Sequence, residues 1–147
     1  MRNLLIIALL SLSVVTACES ENVAEVEEAM SVNQSLQGTS WWIEDIAGKG
    51  VVDMSHTTIE FTEESRVGGD TSCNRYNGSV EISDDKISFG PLAGTRKACA
   101  AALMDQESKF YQAIGNVVSW EIAETGLLYL RDAEDQIQIR AAATDDP

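Results

Sequence analysis

The chain has 147 residues, 44% of them hydrophobic, enough for one domain with a buried core and too many for wholesale disorder. Its 24 acidic residues outnumber 10 basic ones, leaving a net charge of −14, and no stretch forms a basic stripe. Such a surface repels phosphate and excludes a nucleic-acid binder; it reads as a solubility device, with steering of a basic partner as the sharper alternative.

Met1-Arg2-Asn3 is a short basic start, and Leu4 to Val15 is apolar apart from Ser11 and Ser13. A dozen residues fall short of the roughly 20 needed to cross a bilayer, and the pattern is that of a secretory signal. Its exit, Val15-Thr16-Ala17-Cys18, resembles the lipobox of bacterial lipoproteins. That resemblance implies a signal peptide at 1–17, cleavage after Ala17, and acylation of the Cys18 thiol and of the amine that cleavage creates. More than one acyl chain holds stably where one holds only reversibly. Glu19, where an Asp would signal retention, implies by the same resemblance an outer-membrane address facing the periplasm.

Residues 18–37 read as a lipidated acidic tether. Between Glu19 and Gln37 there are five Glu, no base and no aromatic residue, too little apolar area to offset ordering entropy. As a flexible coil its length would span roughly 25 Å.

The folded domain is expected at 38–143, with a frayed tail at 144–147. Ser40 to Ala47 is strand-like and ends at the turn signal Gly48-Lys49-Gly50; Thr57 to Phe61 is a second short strand. In the segment 66–82, Gly68-Gly69 predicts a bulge or close backbone approach, and Asn77-Gly78 a tight hairpin turn. Lys86 to Leu92 reads as a strand stopped at Gly90-Pro91.

The period then changes. Ala98 to Ile114 is Ala-rich and free of Gly and Pro, which predicts a helix with Cys99, Leu103, Phe110 and Ile114 on one face and a C-cap at Gly115-Asn116. Segments 117–123, 127–132 and 136–142 read as three closing strands, with turns at Thr125-Gly126 and Ala133 to Asp135. Strands, one helix and more strands predict an α+β domain, an antiparallel sheet with one main helix on its concave side. Trp41, Trp42, Trp120 and Phe110 read as core or sheet-face residues.

Several of these residues together resemble the META domain, or HslJ-like, family. They are Trp42 in the first strand, "GGDTSCNRYNGS" at 68–79, "PLAGTRKAC" at 91–99 and "MDQESKFYQAI" at 104–114. The matching positions are Trp42, Cys73-Asn74-Arg75, Gly78, Thr95-Arg96, Cys99 and Glu107. Departures are Ser72 and Lys97, where Gly and Met are common, and Gly94, where a Ser often sits. The resemblance implies a strongly curled, half-barrel-like sheet, a link to envelope stress, heat shock or secretion, and no established reaction.

With Cys18 taken by lipid, Cys73 and Cys99 form an even pair, and an oxidising envelope favours a disulfide between them; two buried free thiols or a metal pair are the rival readings. The 25 residues between them would give such a bridge about 3–4 kcal/mol in the chain-entropy model. Glu107 falls on the apolar helical face, where a carboxylate needs a partner. Arg96, Arg75 or backbone amides are expected to hold it, pinning helix to loop; an Arg–Glu site for a ligand carboxylate or phosphate is the alternative.

Catalytic patterns are sparse. His56 is the one histidine, and Asp53 and Ser55 beside it are local neighbours in a polar turn without a nucleophile elbow. Gly48-Lys49-Gly50 lacks the spacing and hydroxyl of a phosphate loop. The chain is therefore expected to be a monomeric, non-enzymatic envelope lipoprotein, with no metal or cofactor beyond the lipid on Cys18. Its partners would be the membrane and an unidentified envelope protein or peptide. The alternative is a pilotin-like chaperone that shelters a lipid tail or peptide in an apolar groove.

Overall fold

The structure, a computed structural model, describes residues 35–144, so Cys18, the signal peptide and most of the tether lie outside the described residues. Within it are ten strands and one helix: β1 (Thr39–Ile46), β2 (Lys49–Gly50), β3 (Thr58–Phe61), β4 (Arg66–Asp70), β5 (Arg75–Ser83), β6 (Lys86–Phe89), β7 (Ala93–Gly94), α1 (Ala101–Asn116), β8 (Ser119–Ile122), β9 (Leu127–Arg131) and β10 (Ile137–Ala143).

Period-two burial sets the faces of the sheet. In β5, Tyr76, Gly78 and Val80 point inward while Arg75, Asn77, Ser79 and Glu81 face out. In β1, Trp41, Ile43 and Ile46 point inward, the phase slipping at an irregularity between Ile43 and Asp45. The strands pair antiparallel in the order β2-β1-β3-β4-β5-β6-β8-β9-β10, with β7 beside β5. The curl of the sheet continues until its ends meet, because β10 also pairs with β1 from Trp41↔Ala143 to Ile46↔Ile139. The thinnest join is β6–β8, a single register pair, Lys86↔Ser119. Backbone bonds from Ile87 to Val118 (3.1 Å) and from Trp120 to Asp85 (2.9 Å) reinforce it.

The α+β reading therefore holds, with one helix on a strongly curled antiparallel sheet. Helix α1 sends Phe110, Ala113 and Ile114 into a core that also contains Ile59, Leu128, Leu130 and Ile139. The helix starts three residues later than its composition predicts. Residues upstream of it are held out of the helix, since the Lys97 amide is bonded to Asn74 and Cys99 is cross-linked. Its end also differs: Gly115 and Asn116 belong to the last turn, and the chain leaves through an extended Val117 whose side chain is buried.

Two further expectations are corrected. Asn77-Gly78 is not a turn but the middle of β5; the β4–β5 hairpin turns at residues 71–74, beyond the pair Asp70↔Arg75. Gly78 is there because a Cβ at that position would lie 2.5 Å from Leu92 Cδ2 and 2.9 Å from the Pro91 carbonyl, so its bareness lets the 91–92 segment cross β5. Leu36, assigned by composition to the tether, is completely buried in the core, so the packed domain begins before Gly38. At the other end the Thr144 amide still bonds to the Ser40 carbonyl at 3.0 Å. The close approach expected at Gly68-Gly69 is present: Gly69 has φ +152°, and a Cβ there would lie 2.2 Å from the Thr58 carbonyl oxygen.

Gly69→Ala should therefore lose on the order of 2–4 kcal/mol in urea denaturation, because the Thr58 backbone must yield and the φ of Gly69 is strained for any other residue. Gly115→Ala, in a helix with open space around it, should be neutral or stabilising by up to about 1 kcal/mol. Equal losses at the two sites would contradict this packing.

A pH dependence follows from Tyr76. Its buried phenol donates to the Thr58 carbonyl at 2.9 Å, and burial first, then the charges of Tyr111, Glu60 and Asp70, hold its pKa well above the ordinary tyrosine value. A folded-state pKa above the unfolded one gives stability that is complete below about pH 10 and lost as pH rises through the folded value. Ultraviolet titration should show one of the three tyrosines ionising only together with alkaline unfolding. Three tyrosines titrating in the native state would contradict it.

Candidate functional site

The turn between β4 and β5 is built from its own hydroxyls. Thr71 sends its amide (2.8 Å) and its hydroxyl (3.0 Å) to the Asn74 carbonyl, and Asn74 returns its amide to Thr71 Oγ1 at 3.0 Å. Ser72 sits at φ +70°, its amide bonded to Asp70 Oδ1 at 2.6 Å. A left-handed φ suits glycine best, and Ser is tolerated here because a side-chain turn compensates.

Cys73 and Cys99 form a disulfide with Cα atoms 5.8 Å apart. It joins this turn to the segment leading into α1. Beside it lies Asn74, 4% exposed, whose amide group is engaged at both ends. Oδ1 accepts from the Lys97 amide (2.7 Å) and Thr95 Oγ1 (2.8 Å); Nδ2 donates to Glu107 Oε2 (3.0 Å). The orientation is dictated by chemistry, since a backbone N–H can only donate and a carboxylate only accept. Thr95 also donates its amide to the Arg75 carbonyl (2.9 Å) and accepts the Arg75 amide on Oγ1 (3.2 Å).

Glu107 does pin the helix to the loop, but through Asn74. Arg75 and Arg96 are exposed and make no ion pair with it. A half-buried carboxylate with solvent on one side needs only one good donor, so the neutral amide suffices.

A second polar support passes below the first. Gln106, 6% exposed, accepts the Val52 amide on Oε1 (2.6 Å) and donates to Thr57 Oγ1 (2.9 Å), which in turn shares a hydrogen bond with Ser72 Oγ (2.9 Å). The available signal was a polar residue between Leu103 and Phe110 on the apolar helical face, the same signal that drew attention to Glu107.

Between the two supported elements lies an open cleft of about 670 Å³. One wall is the strip 92–97 with Asn74 behind it; the other is the α1 face bearing Met104, Glu107, Ser108 and Tyr111. The Tyr111 hydroxyl overhangs Gly94, 2.6 Å from where a Cβ would be. Partial burial, then the Glu107 charge, raises the Tyr111 pKa, so the hydroxyl stays a donor at neutral pH.

Of the residues singled out by motif, the structure brings Asn74, Thr95, Glu107 and the Cys73–Cys99 bridge together, with Arg96 on the cleft wall and Arg75 bound through its backbone. Gly78 serves the neighbouring crossing. Trp42 does not line the cleft; it lies on the outer sheet face, 40% exposed, its ring 5.1 Å from that of exposed His56.

A cross-linked turn, a strip and a helix packed on a curled antiparallel sheet define a class of small α+β domain in which cleft and core share one set of supports. The chain belongs to the META domain family, whose sequence profile matches residues 34–145. That span takes in the buried Leu36. Comparison with curated proteins finds no match. Among solved structures, the fold is similar to an NMR structure of a protein from Burkholderia xenovorans (TM-score 0.61, 22% identity, covering 95% of this chain and 99% of that one). It is also similar to a second NMR structure (TM-score 0.56, 24% identity, 71% and 89%). A third is the crystal structure of a DUF4847 family protein from Bacteroides vulgatus ATCC 8482 (TM-score 0.57, 12% identity, 76% and 96%). At these identities the likeness is one of fold.

The network makes a paired prediction. Asn74→Asp puts a second carboxylate against Glu107 and should cost on the order of 2–4 kcal/mol at pH 7. Mutual repulsion raises both folded pKa values, so this deficit should shrink as pH falls through the carboxylate range. Glu107→Gln keeps an acceptor for Asn74 and should change stability by less than about 1 kcal/mol. Denaturant melts at pH 7 and pH 4 check both, and a costly Glu107→Gln would restore an ionic partner for that carboxylate.

Proposed function

We propose that this META-domain protein is a lipid-anchored, non-enzymatic envelope protein, tethered through Cys18, that serves envelope maintenance or stress response as a binding module. The observation that carries the binding reading is the state of the cleft's chemical groups. Beside the cleft the two thiols are bonded to each other; within it Glu107 Oε2 accepts from Asn74 and Tyr111 is held as a neutral donor, while Arg96 and Lys97 stand exposed on the wall. Such a site is built to hold something rather than to transform it. Support for the anchor is the sequence Val15-Thr16-Ala17-Cys18 behind an apolar run, and the address proposed is the outer membrane, facing the periplasm.

The pilotin-like alternative asks for a continuous apolar groove. Phe110, Leu128, Leu130 and Ile139 instead fill the space between sheet and helix, and the large cleft is lined by Asn74, Arg96, Lys97 and Glu107 as well as apolar atoms. That lining favours a polar or peptidic ligand over an acyl chain.

Expression in a bacterial host with an alkyne-tagged fatty acid tests the anchor. The wild-type chain should take up the label and sediment with membranes, and Cys18→Ser should lose the label. Unlabelled wild-type protein, or a labelled Cys18→Ser chain, would overturn the lipoprotein reading.

A further inference from the structure

The strip 93–97 is a strand edge held on one side only. It is fastened to β5 by the pairs Asn77↔Ala93 and Tyr76↔Gly94 and by the Thr95 amide to the Arg75 carbonyl, then to Asn74 through Thr95 Oγ1 and the Lys97 amide. No strand pairs with its other edge among the described residues, and Ala93, Gly94, Thr95 and Arg96 are all exposed. In an antiparallel ladder successive residues present their backbone groups to opposite sides. Thr95 faces β5, so Gly94 and Arg96 turn their N–H and C=O groups away from it.

Two exposed cations, Arg96 and Lys97, stand next to each other at this edge. Lys86, Lys109, Arg131 and Arg140 each pair with a carboxylate. Arg75, Arg96 and Lys97 pair with none, and neither do Lys49 and Arg66 elsewhere on the molecule, although the chain has a net charge of −14. Of these five, Arg96 and Lys97 lie on the wall of this cleft, whose one carboxylate is that of Glu107. An open strand edge, a helix flanking it, and two exposed cations on the strip against the single carboxylate of Glu107 suit strand-addition recognition of an acidic segment. Because bridge and hydrogen bonds already order the edge, binding would cost little further ordering.

We propose that this cleft receives an extended acidic peptide segment of a partner protein, which adds to the edge of β7 as a further strand and sets its carboxylates against Arg96 and Lys97. The proposal rests on the binding-module reading and names its ligand class. Main-chain bonds to Gly94 and Arg96 would supply affinity, the two cations sequence preference, and the Tyr111 hydroxyl a further donor.

A random ten-residue peptide display library, panned against the full chain in detergent, tests this. Recovered peptides should be enriched in Asp and Glu, and the Arg96→Glu/Lys97→Glu double variant should weaken their binding at least about tenfold. That variant should melt like the parent, since both side chains are exposed and unpaired. Methylating alternate backbone nitrogens of a recovered peptide should likewise weaken it at least about tenfold. No enrichment, which would mean that the charges merely guard an edge, overturns the proposal. So does enrichment of basic peptides, binding indifferent to the double variant, or binding indifferent to N-methylation. Panning reads the cleft whether or not Cys18 is acylated, so a negative result here leaves the anchor intact, and an unlabelled Cys18 leaves the cleft intact.

Discussion

The carboxamide of Asn74 is where three parts of the chain meet. The β4–β5 turn supplies it, the strip ahead of the helix donates to one end of it, and the helix accepts from the other. Nothing but a planar group with a donor end and an acceptor end, at that length, satisfies all of these at once. Its burial makes the arrangement demanding, because each bond lost would strand a polar group away from water. The adjacent disulfide changes the entropy of the problem. With Cys73 and Cys99 joined, residues 74 and 95–97 are already neighbours in the unfolded chain, so closing the same loop with hydrogen bonds costs far less.

From this point the architecture follows in both directions. Toward the core, α1 is fixed where Phe110 and Ile114 can fill the ring of strands, and Gln106 fixes it again from below through Val52 and Thr57. Toward solvent, residues 93–97 are laid along β5 as a short strip that the ring itself does not need. The ring closes through β1 and β10 without it. Bridge and amide thus fasten to the ring and its helix a strip that ring closure does not use. The same supports therefore serve a surface as well as the core.

What was legible in the chain was mostly what is encoded by period and composition. Alternating burial marks the inward face of each long strand, and the Ala-rich run without Gly or Pro marks the helix, because both patterns repeat the geometry of the backbone itself. Asn77-Gly78 misled because turn propensity is local, whereas Gly78 answers a demand from Pro91 and Leu92, more than a dozen residues away. Glu107 was correctly read as needing a partner, but desolvation cost states only that a donor is required. It does not say that the donor is charged, and a neutral amide at 3.0 Å was enough. Leu36 was invisible inside an acidic stretch because one apolar residue has no period. Gln106 was legible in principle, being polar on the same apolar face, and was overlooked because an uncharged amide raises less alarm than a carboxylate.

Charge placement carries one more consequence of the same construction. In a chain with 24 acidic residues, Lys109 and Arg131 each find a carboxylate four residues away on their own segment. The strip 92–97 has no such neighbour: its sequence, Leu-Ala-Gly-Thr-Arg-Lys, contains no acid, and Glu107 across the cleft is turned to Asn74. Were Glu107 free to swing, Arg96 and Lys97 would be its natural partners. By engaging one carboxylate oxygen with a neutral donor, Asn74 turns Glu107 away from an ion pair with either cation, while its charge stays in the cleft. The same amide that fastens helix to loop therefore also sets the electrostatic character of the cleft between them.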